Sequence, residues 1–403
     1  MQNKSIWGII SISSIPLVMT LGNSMLIPVL PTIEKELGIS SVQASLLITV
    51  YSIVAIIFIP LAGYLSDHIG RKQVIIPSLI LAGLGGALAG FAAWKFDSAY
   101  SWILIGRLLQ GIGAAGAAPI AFPLVGDIFT SEKEVSSGLG LVETSNTFGK
   151  VISPILGALL ASFVWFLPFF SFPVFCFISI VMLLLLVHVP KQKDKPLAFK
   201  PFVKSIKKTF KREGKWLFVV FFVGGLCMYL IFGLLFYLST SLEKDYGIHD
   251  LKKGFVLAFP LAALCFASYV TGKLIGQDKL LMKWYTVGGL ALVTGSTLWI
   301  AFSDNIYVLL AALFLAGLGI GAALPSLDAF VTEGIEQKQR GSITSLYSSM
   351  RFVGVAMGPP IFAALLEVNH FLLFSLHALL SCIALVLTFL LLKPEKSVKG
   401  SWS

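Results

Sequence analysis

Long apolar runs alternate with short polar breaks along almost the whole chain. Twelve runs are long enough to cross a bilayer as helices, which takes about 20 residues rising 1.5 Å each. They fall at 7–31, 41–63, 74–94, 101–126, 137–164, 167–189, 216–240, 254–275, 284–302, 305–330, 342–366 and 370–392. The first is too long for a cleaved leader and lacks a small-residue cleavage site. One break stands apart: 190–215 is polar and carries ten Lys/Arg against Asp194 and Glu213. Within it Phe199, Phe202, Val203, Ile206 and Phe210 recur at helical spacing, with Lys200, Lys204, Lys207, Lys208 and Lys211 on the other face. That is the pattern of an amphipathic helix lying along a headgroup layer. The predicted organisation is an all-α polytopic membrane protein of twelve transmembrane helices. A six-helix bundle spans 1–189, a basic cytoplasmic linker with an interfacial helix spans 190–215, and a second six-helix bundle spans 216–403.

Composition agrees with that pattern. Hydrophobic residues make up 57% of the 403 positions and charged residues only 12%, about half the share of a soluble domain. This excludes a disordered chain, a disulfide scaffold and an ordinary soluble enzyme. The formal charge of +10 would point to nucleic acid in a soluble domain, but its distribution has another cause. With both termini cytoplasmic, 22 Lys/Arg fall in inner segments and 5 in outer ones, the bias that orients membrane proteins. No nucleic-acid partner is needed. All four cysteines lie in predicted spans, and no spacing suggests a disulfide or a metal site.

The two bundles repeat each other. Gly83, Gly90, Trp94, Gly149 and Pro154 recur as Gly288, Gly295, Trp299, Gly354 and Pro359, all at one offset of 205. Gly111, Gly113 and Pro119 recur as Gly317, Gly319 and Pro325 at 206. Parallel six-helix repeats are the plan of major-facilitator transporters. Four motifs strengthen the resemblance. Residues 63–72, GYLSDHIGRK, resemble the family's loop signature G-x-L-a-D-r-x-G-r-k, with His68 in place of an arginine. Leu21-Gly22 with Pro28-Val29-Leu30-Pro31 resembles a first-helix motif of the twelve-helix drug:proton antiporters. Residues 107–113, RLLQGIG, resemble their fourth-helix motif R-x-x-q-G. Residues 149–158, GKVISPILGA, resemble their fifth-helix motif, but read SPILGA where that motif usually has G-P-x-x-G-G. Gly111, Gly113 and Gly116 also spell G-x-G-x-x-G; inside an apolar span with no preceding strand this is helix packing, not a dinucleotide site. No phosphate-binding G-x-x-x-x-G-K-[ST] sequence occurs, so ATP is not the expected driving force.

The resemblance implies a pseudo-symmetric major-facilitator fold and a cytoplasmic gate of Gly63, Asp67, Gly70, Arg71 and Asp127. In that gate Asp67 meets the start of the eleventh span near Ser342, and Arg71 pairs with Asp127. It also implies a helix-packing motif at Gly149, Pro154 and Gly157, echoed by Gly354, Gly358 and Pro359, and a coupling role for Arg107 in contact with Asn23. Five ionisable residues lie well inside spans: Arg107, Glu143, Lys150, Asp328 and Arg351. Such residues are expensive in lipid and mark functional sites by default. Glu143 and then Asp328, with Arg107 nearby, are the expected proton-coupling residues. Asn23, Gln110, Lys150 and Arg351 are expected in the substrate cavity. Glu143 and Lys150 are seven residues apart, on one helix face but about 10 Å apart along the axis. Phe218, Phe221, Phe222 and Phe232 offer an apolar wall.

The expected function is proton-coupled secondary efflux of amphipathic drugs or other lipophilic small molecules by alternating access, conferring antibiotic resistance. A dedicated exporter or flippase of one metabolite or lipid, or a proton-coupled importer, is the alternative on the same fold. The chain is expected to be a monomer in the bacterial cytoplasmic membrane, not an enzyme. It needs no cofactor beyond the proton gradient, and its partners are the substrate, protons and membrane lipids.

Overall fold

The computed structural model describes residues 3–129, 132–187, 199–276, 278–335 and 337–392. Every regular element among them is helical. The first half holds α1 (Asn3–Ser24), α2 (Leu30–Leu37), α3 (Ser41–Ile69), α4 (Arg71–Lys95), α5 (Ala99–Ile128), α6 (Glu132–Phe163) and α7 (Leu167–Leu186). The second holds α8 (Phe199–Lys244), α9 (Asp250–Ile275), α10 (Lys279–Ala301), α11 (Ile306–Gly334), α12 (Gln337–Leu366) and α13 (His370–Leu391). Eleven helices, counting α1 and α2 as one span, are long and apolar enough to cross a membrane. The helix left over is α10, where the ninth run lies. It has 23 residues, but Thr, Ser, Gly and Lys dilute its apolar face.

Three boundaries differ from the apolar runs. The first run is not one helix: Pro28 and Pro31 interrupt the backbone bonding, and a 3₁₀ turn at Ile27–Val29 joins α1 to α2. Helix α6 begins at Glu132, about a turn and a half before its apolar run, because polar residues continue the helix beyond lipid. The amphipathic segment is helical from Phe199 but runs into the seventh span without a break, so α8 is 46 residues long. Residues 190–198 of the expected linker lie outside the described residues, as do the side chains of 199–208.

Corners between spans are tight. Gly38 (φ +61°) ends α2, and Ser40 then starts α3 with a capping box to Gln43. Gly70 (φ +105°) is the single residue between α3 and α4, a backbone state that suits glycine. Each half packs mainly within itself, α4 on α5 and α10 on α11, while α3 against α12 and α6 against α9 join the halves. Burial locates the centre: 83% of the membrane window of α8 and 78% of that of α1–α2 are buried, against 28% for α7. Large apolar side chains such as Phe163, Phe177 and Phe302 face outward, as a lipid-facing surface requires.

Candidate functional site

The five charges expected inside spans separate into two groups. Arg107 stands apart, with all its partners in the first half. Glycines let α5 approach its neighbours closely; a Cβ at Gly106 would meet Ala89 of α4 at 2.9 Å, and Gly111 lies directly on the Tyr51 backbone of α3. In that tight junction Arg107 has no exposed surface. Its Nε donates to Leu47 O at 2.8 Å, Nη1 to Gly22 O at 3.0 Å and to Gln110 Oε1 at 2.6 Å, and Nη2 to Asn23 Oδ1 at 2.6 Å. The guanidinium lies 4.6 Å from the Tyr51 ring centroid. The expected contact with Asn23 is present, Gln110 joins it here rather than in the cavity, and no carboxylate is among the hydrogen-bond partners of Arg107.

The other four charges gather where the halves meet. Glu143 and Lys150 come from α6, Asp328 from α11 and Arg351 from α12. Arg351 Nη1 lies 3.2 Å from Asp328 Oδ1, and its Nη2 is 3.9 Å from Met228 Sδ of α8. Tyr347, one turn before Arg351, places its ring 5.8 Å from that guanidinium. Glu143 is half-buried, and among the described residues its carboxylate is held only by Asn146 Nδ2, at 3.4 and 3.5 Å. Asn146 in turn accepts from Thr20 of α1 at 2.6 Å. Glu143 lies within electrostatic reach of Lys150, Asp328 and Arg351. Two acids and two bases from both bundles therefore lie near one another, with Asp328–Arg351 the one direct ion pair among the described residues.

Lys150 borders a cavity between the halves, with Ser24, Ile27, Ser153, Phe232 and Leu235 among its walls. A wholly apolar space continues from it past Pro260, Leu264 and Leu313. In this conformation the first cavity is constricted, with room for about one water molecule. Of the four phenylalanines expected as a wall, Phe232 lines the cavity. Phe218 is 62% exposed on the outer surface and stacks on Phe222, and Phe221 packs on Phe210 and Tyr347.

The loop motif builds a corner within the first half. Arg71 pairs with Asp67 one turn back, reaches Asp127 Oδ2 at 3.3 Å and donates to Ser66 Oγ at 2.6 Å. A Cβ at Gly63 would sit 3.5 Å from Ser345 Oγ, so α3 runs against α12 of the other half here. The side chain of Ser342 lies outside the described residues. His68 turns back to its own helix, its Nδ1 2.8 Å from Tyr64 O. The fifth-helix motif packs as small residues allow. A Cβ at Gly149 would touch Leu17 and Thr20 at 3.1 and 3.3 Å, and Gly157 lies on the Met25 backbone. Gly354 and Gly358 repeat this in the second half, against the α8 backbone at Gly225 and Tyr229. The departure at Ala158 has a local answer: it faces Gly254 of α9, where a Cβ would meet Ala158 at 2.9 Å and Pro154 O at 2.7 Å. The motif thus joins the halves through α6 and α9. Pro359 follows Gly358 inside α12, as Pro154 lies inside α6.

Sequence reasoning missed several partners. Tyr51, Ser45, Thr49 and Ser52 place a polar stripe on α3, from which Thr49 donates to Ala356 O of α12 at 2.7 Å. That stripe is visible in the chain as polar residues three to four apart in an apolar run. Asn146, three residues after Glu143, was equally visible. A pair between Tyr229 and His377 inside the second half, and an ion pair of Lys244 Nζ with Glu34 Oε1 at 2.9 Å, carry no local signal.

The Major Facilitator Superfamily model matches residues 12–359, with a further match over 241–401. The chain is 53% identical to the bacillibactin exporter of Bacillus subtilis over 390 residues, 96% of this chain and 97% of that protein. It is 27% identical to the class B tetracycline resistance protein of Escherichia coli, covering 89% of both. Among solved structures, a bacterial homologue of the human lysosomal transporter Spinster, inward-facing and unoccupied, shares the fold. The TM-score is 0.77 at 14% identity, over 97% of this chain and 98% of that one. Family, fold and apolar spans make this a multi-pass protein of the cytoplasmic membrane and a transporter rather than an enzyme. The chain belongs to the Major Facilitator Superfamily.

Proposed function

We propose that the protein is a proton-coupled exporter that moves one bacillibactin-like metabolite outward by alternating access. The carrying observation is the set of Glu143, Lys150, Asp328 and Arg351, shared between the halves beside a central cavity. Charges that meet across a moving interface have different energies in its two arrangements, which is what a ligand or proton needs in order to bias them. Glu143 and Asp328 take the proton; Arg107 fixes the joint of α1, α3 and α5 rather than titrating. Of the residues expected around the cavity, Lys150 lines it, while Asn23 and Gln110 hold Arg107 and Arg351 holds Asp328. The corner of Gly63, Asp67, Gly70, Arg71 and Asp127 works as the cytoplasmic gate. In this reading α10 is the ninth of twelve spans, 1–189 and 216–403 are the moving bundles joined by 190–215, and both termini are cytoplasmic. The protein acts as a monomer in lipid, without cofactor or nucleic acid. One proton moving down 100 mV contributes about 2.3 kcal/mol, a concentration ratio of roughly 50.

The single-metabolite cargo rests on the 53% identity to the bacillibactin exporter over nearly the full length of both chains. Multidrug efflux is the second reading, favoured by the likeness to tetracycline resistance proteins. In energised inside-out vesicles, Glu143→Gln should lose at least about tenfold of proton-driven bacillibactin transport while keeping gradient-free binding. Unchanged transport removes Glu143 from the coupling, and transport of tetracycline in place of bacillibactin selects the second reading.

A further inference from the structure

Lys150 is 8% exposed, and among the described residues its ammonium makes no hydrogen bond or ion pair. A buried ammonium is ordinarily paired, since leaving water without a partner is costly. The acids that act on it are committed elsewhere: Asp328 is held by Arg351, and Glu143 leans on Asn146 about two turns away. The cavity beside Lys150 is lined by Ser24, Ile27 and Ser153 of the first half and by Ile231, Phe232 and Leu235 of the second, with a surface that is almost wholly apolar. It holds no protein carboxylate.

We propose that Lys150 is the docking point for a deprotonated oxygen of the transported molecule. The cargo class is then an amphiphile with an acidic oxygen, a carboxylate or phenolate, whose apolar ring body lies against Phe232 and Leu235. The inference rests on the export reading above and names its substrate class. Phe232 and Leu235 belong to α8, so an anion on Lys150 of α6 bridges the two bundles. Cations of the same size find no counter-charge in the cavity wall, whose one charged lining residue is Lys150.

The test uses the purified full-length chain in neutral phosphatidylcholine nanodiscs, with no gradient, and two probes that share a ring system: naphthoate and naphthylmethylammonium. The wild type should bind naphthoate about tenfold or more tightly than the ammonium. Lys150→Gln should lose that preference by weakening naphthoate alone, and Lys150→Arg should keep it. Equal binding of the two probes by the wild type, binding of neither, or full naphthoate affinity in Lys150→Gln overturns the proposal. If Lys150→Gln gives no folded protein, the preference in the wild type and in Lys150→Arg decides. The outcome is separable from proton coupling. Normal transport in Glu143→Gln with intact anion preference sinks the coupling and keeps the docking point; the reverse pattern does the opposite.

Discussion

Arg107 and the group of Glu143, Lys150, Asp328 and Arg351 look alike in the chain, each a charge inside an apolar span, yet the fold treats them differently. Arg107 is closed on every side, its guanidinium spread over two carbonyls, a glutamine and an asparagine and resting on Tyr51. All its partners belong to one bundle. The four-residue group is half-open and crosses between bundles; Asp328 keeps 37% of its side chain exposed, and Lys150 has no direct partner among the described residues. A fully bonded buried charge holds a structure in one form, because any movement strands its partners. A partly bonded one, shared by parts that move, can be re-paired by protons or cargo. In the proposed reading the number of unmet bonds and the identity of the moving bodies separate the two kinds of intramembrane charge.

The sharpest way to break this contrast is Arg107→Met. It strands the acceptors at Gly22, Asn23, Leu47 and Gln110, each at a cost of about 1–3 kcal/mol when buried. The sum approaches the whole margin of a typical domain, about 5–15 kcal/mol. Little folded protein should be recovered in detergent, with a thermal midpoint far below the wild type for what remains. Arg107→Met that unfolds like the wild type but fails to transport would move Arg107 into the functional group.

The pair Asp328–Arg351 tests the other side at intermediate size. Removing either partner leaves a charge near the interface. Because Asp328 is partly exposed, the loss falls below the 3–5 kcal/mol of a fully buried pair, on the order of 1–2 kcal/mol. Asp328→Asn and Arg351→Gln should each lower the thermal midpoint, and the double variant less than their sum. Transport should fall in all three. Wild-type transport in the double variant would reduce this pair to packing and leave Glu143 and Lys150 as the operative charges.

Much of the fold was legible in the chain because all but the ninth apolar run exceed what a bilayer needs, so their existence does not depend on packing. The ends were less so. Pro28 and Pro31 break the first run in a way hydropathy does not register, and α8 starts at Phe199 because helical spacing of Phe and Lys continues smoothly into the span. For the site, the chain shows which charges are buried but not who meets whom. Asp328 and Arg351 lie on different helices, as do Arg107 and Asn23, and pairing across helices depends on relative height and rotation. The Arg107–Asn23 contact was anticipated only through the resemblance. Asn146 and Tyr51 were locally visible and passed over, because polar uncharged residues in a span are commonly satisfied by their own helix, as Ser52 is by Ile48 O.

The smallest effect, and the finest test of which contacts hold the halves together, is at the end of the molecule carrying the loop between α2 and α3. Three polar contacts cross there: Lys244 to Glu34, Ser239 Oγ to Ile27 O at 2.9 Å, and, deeper, Thr49 to Ala356 O. The ion pair is the outermost; Lys244 is 50% exposed, and such pairs contribute about 0–1 kcal/mol. Lys244→Ala should therefore shift the opening of this end by no more than roughly fivefold. The readout is a membrane-impermeant thiol reagent reacting with Ile27→Cys, a buried position whose carbonyl contact with Ser239 survives the change. A faster rate in Lys244→Ala, restored by the swap Glu34→Lys with Lys244→Glu, identifies the pair as a latch between bundles. An unchanged rate leaves closure to Thr49, Ser239 and the α6–α9 packing. Closure of this end would then rest, like the Arg107 joint, on buried contacts.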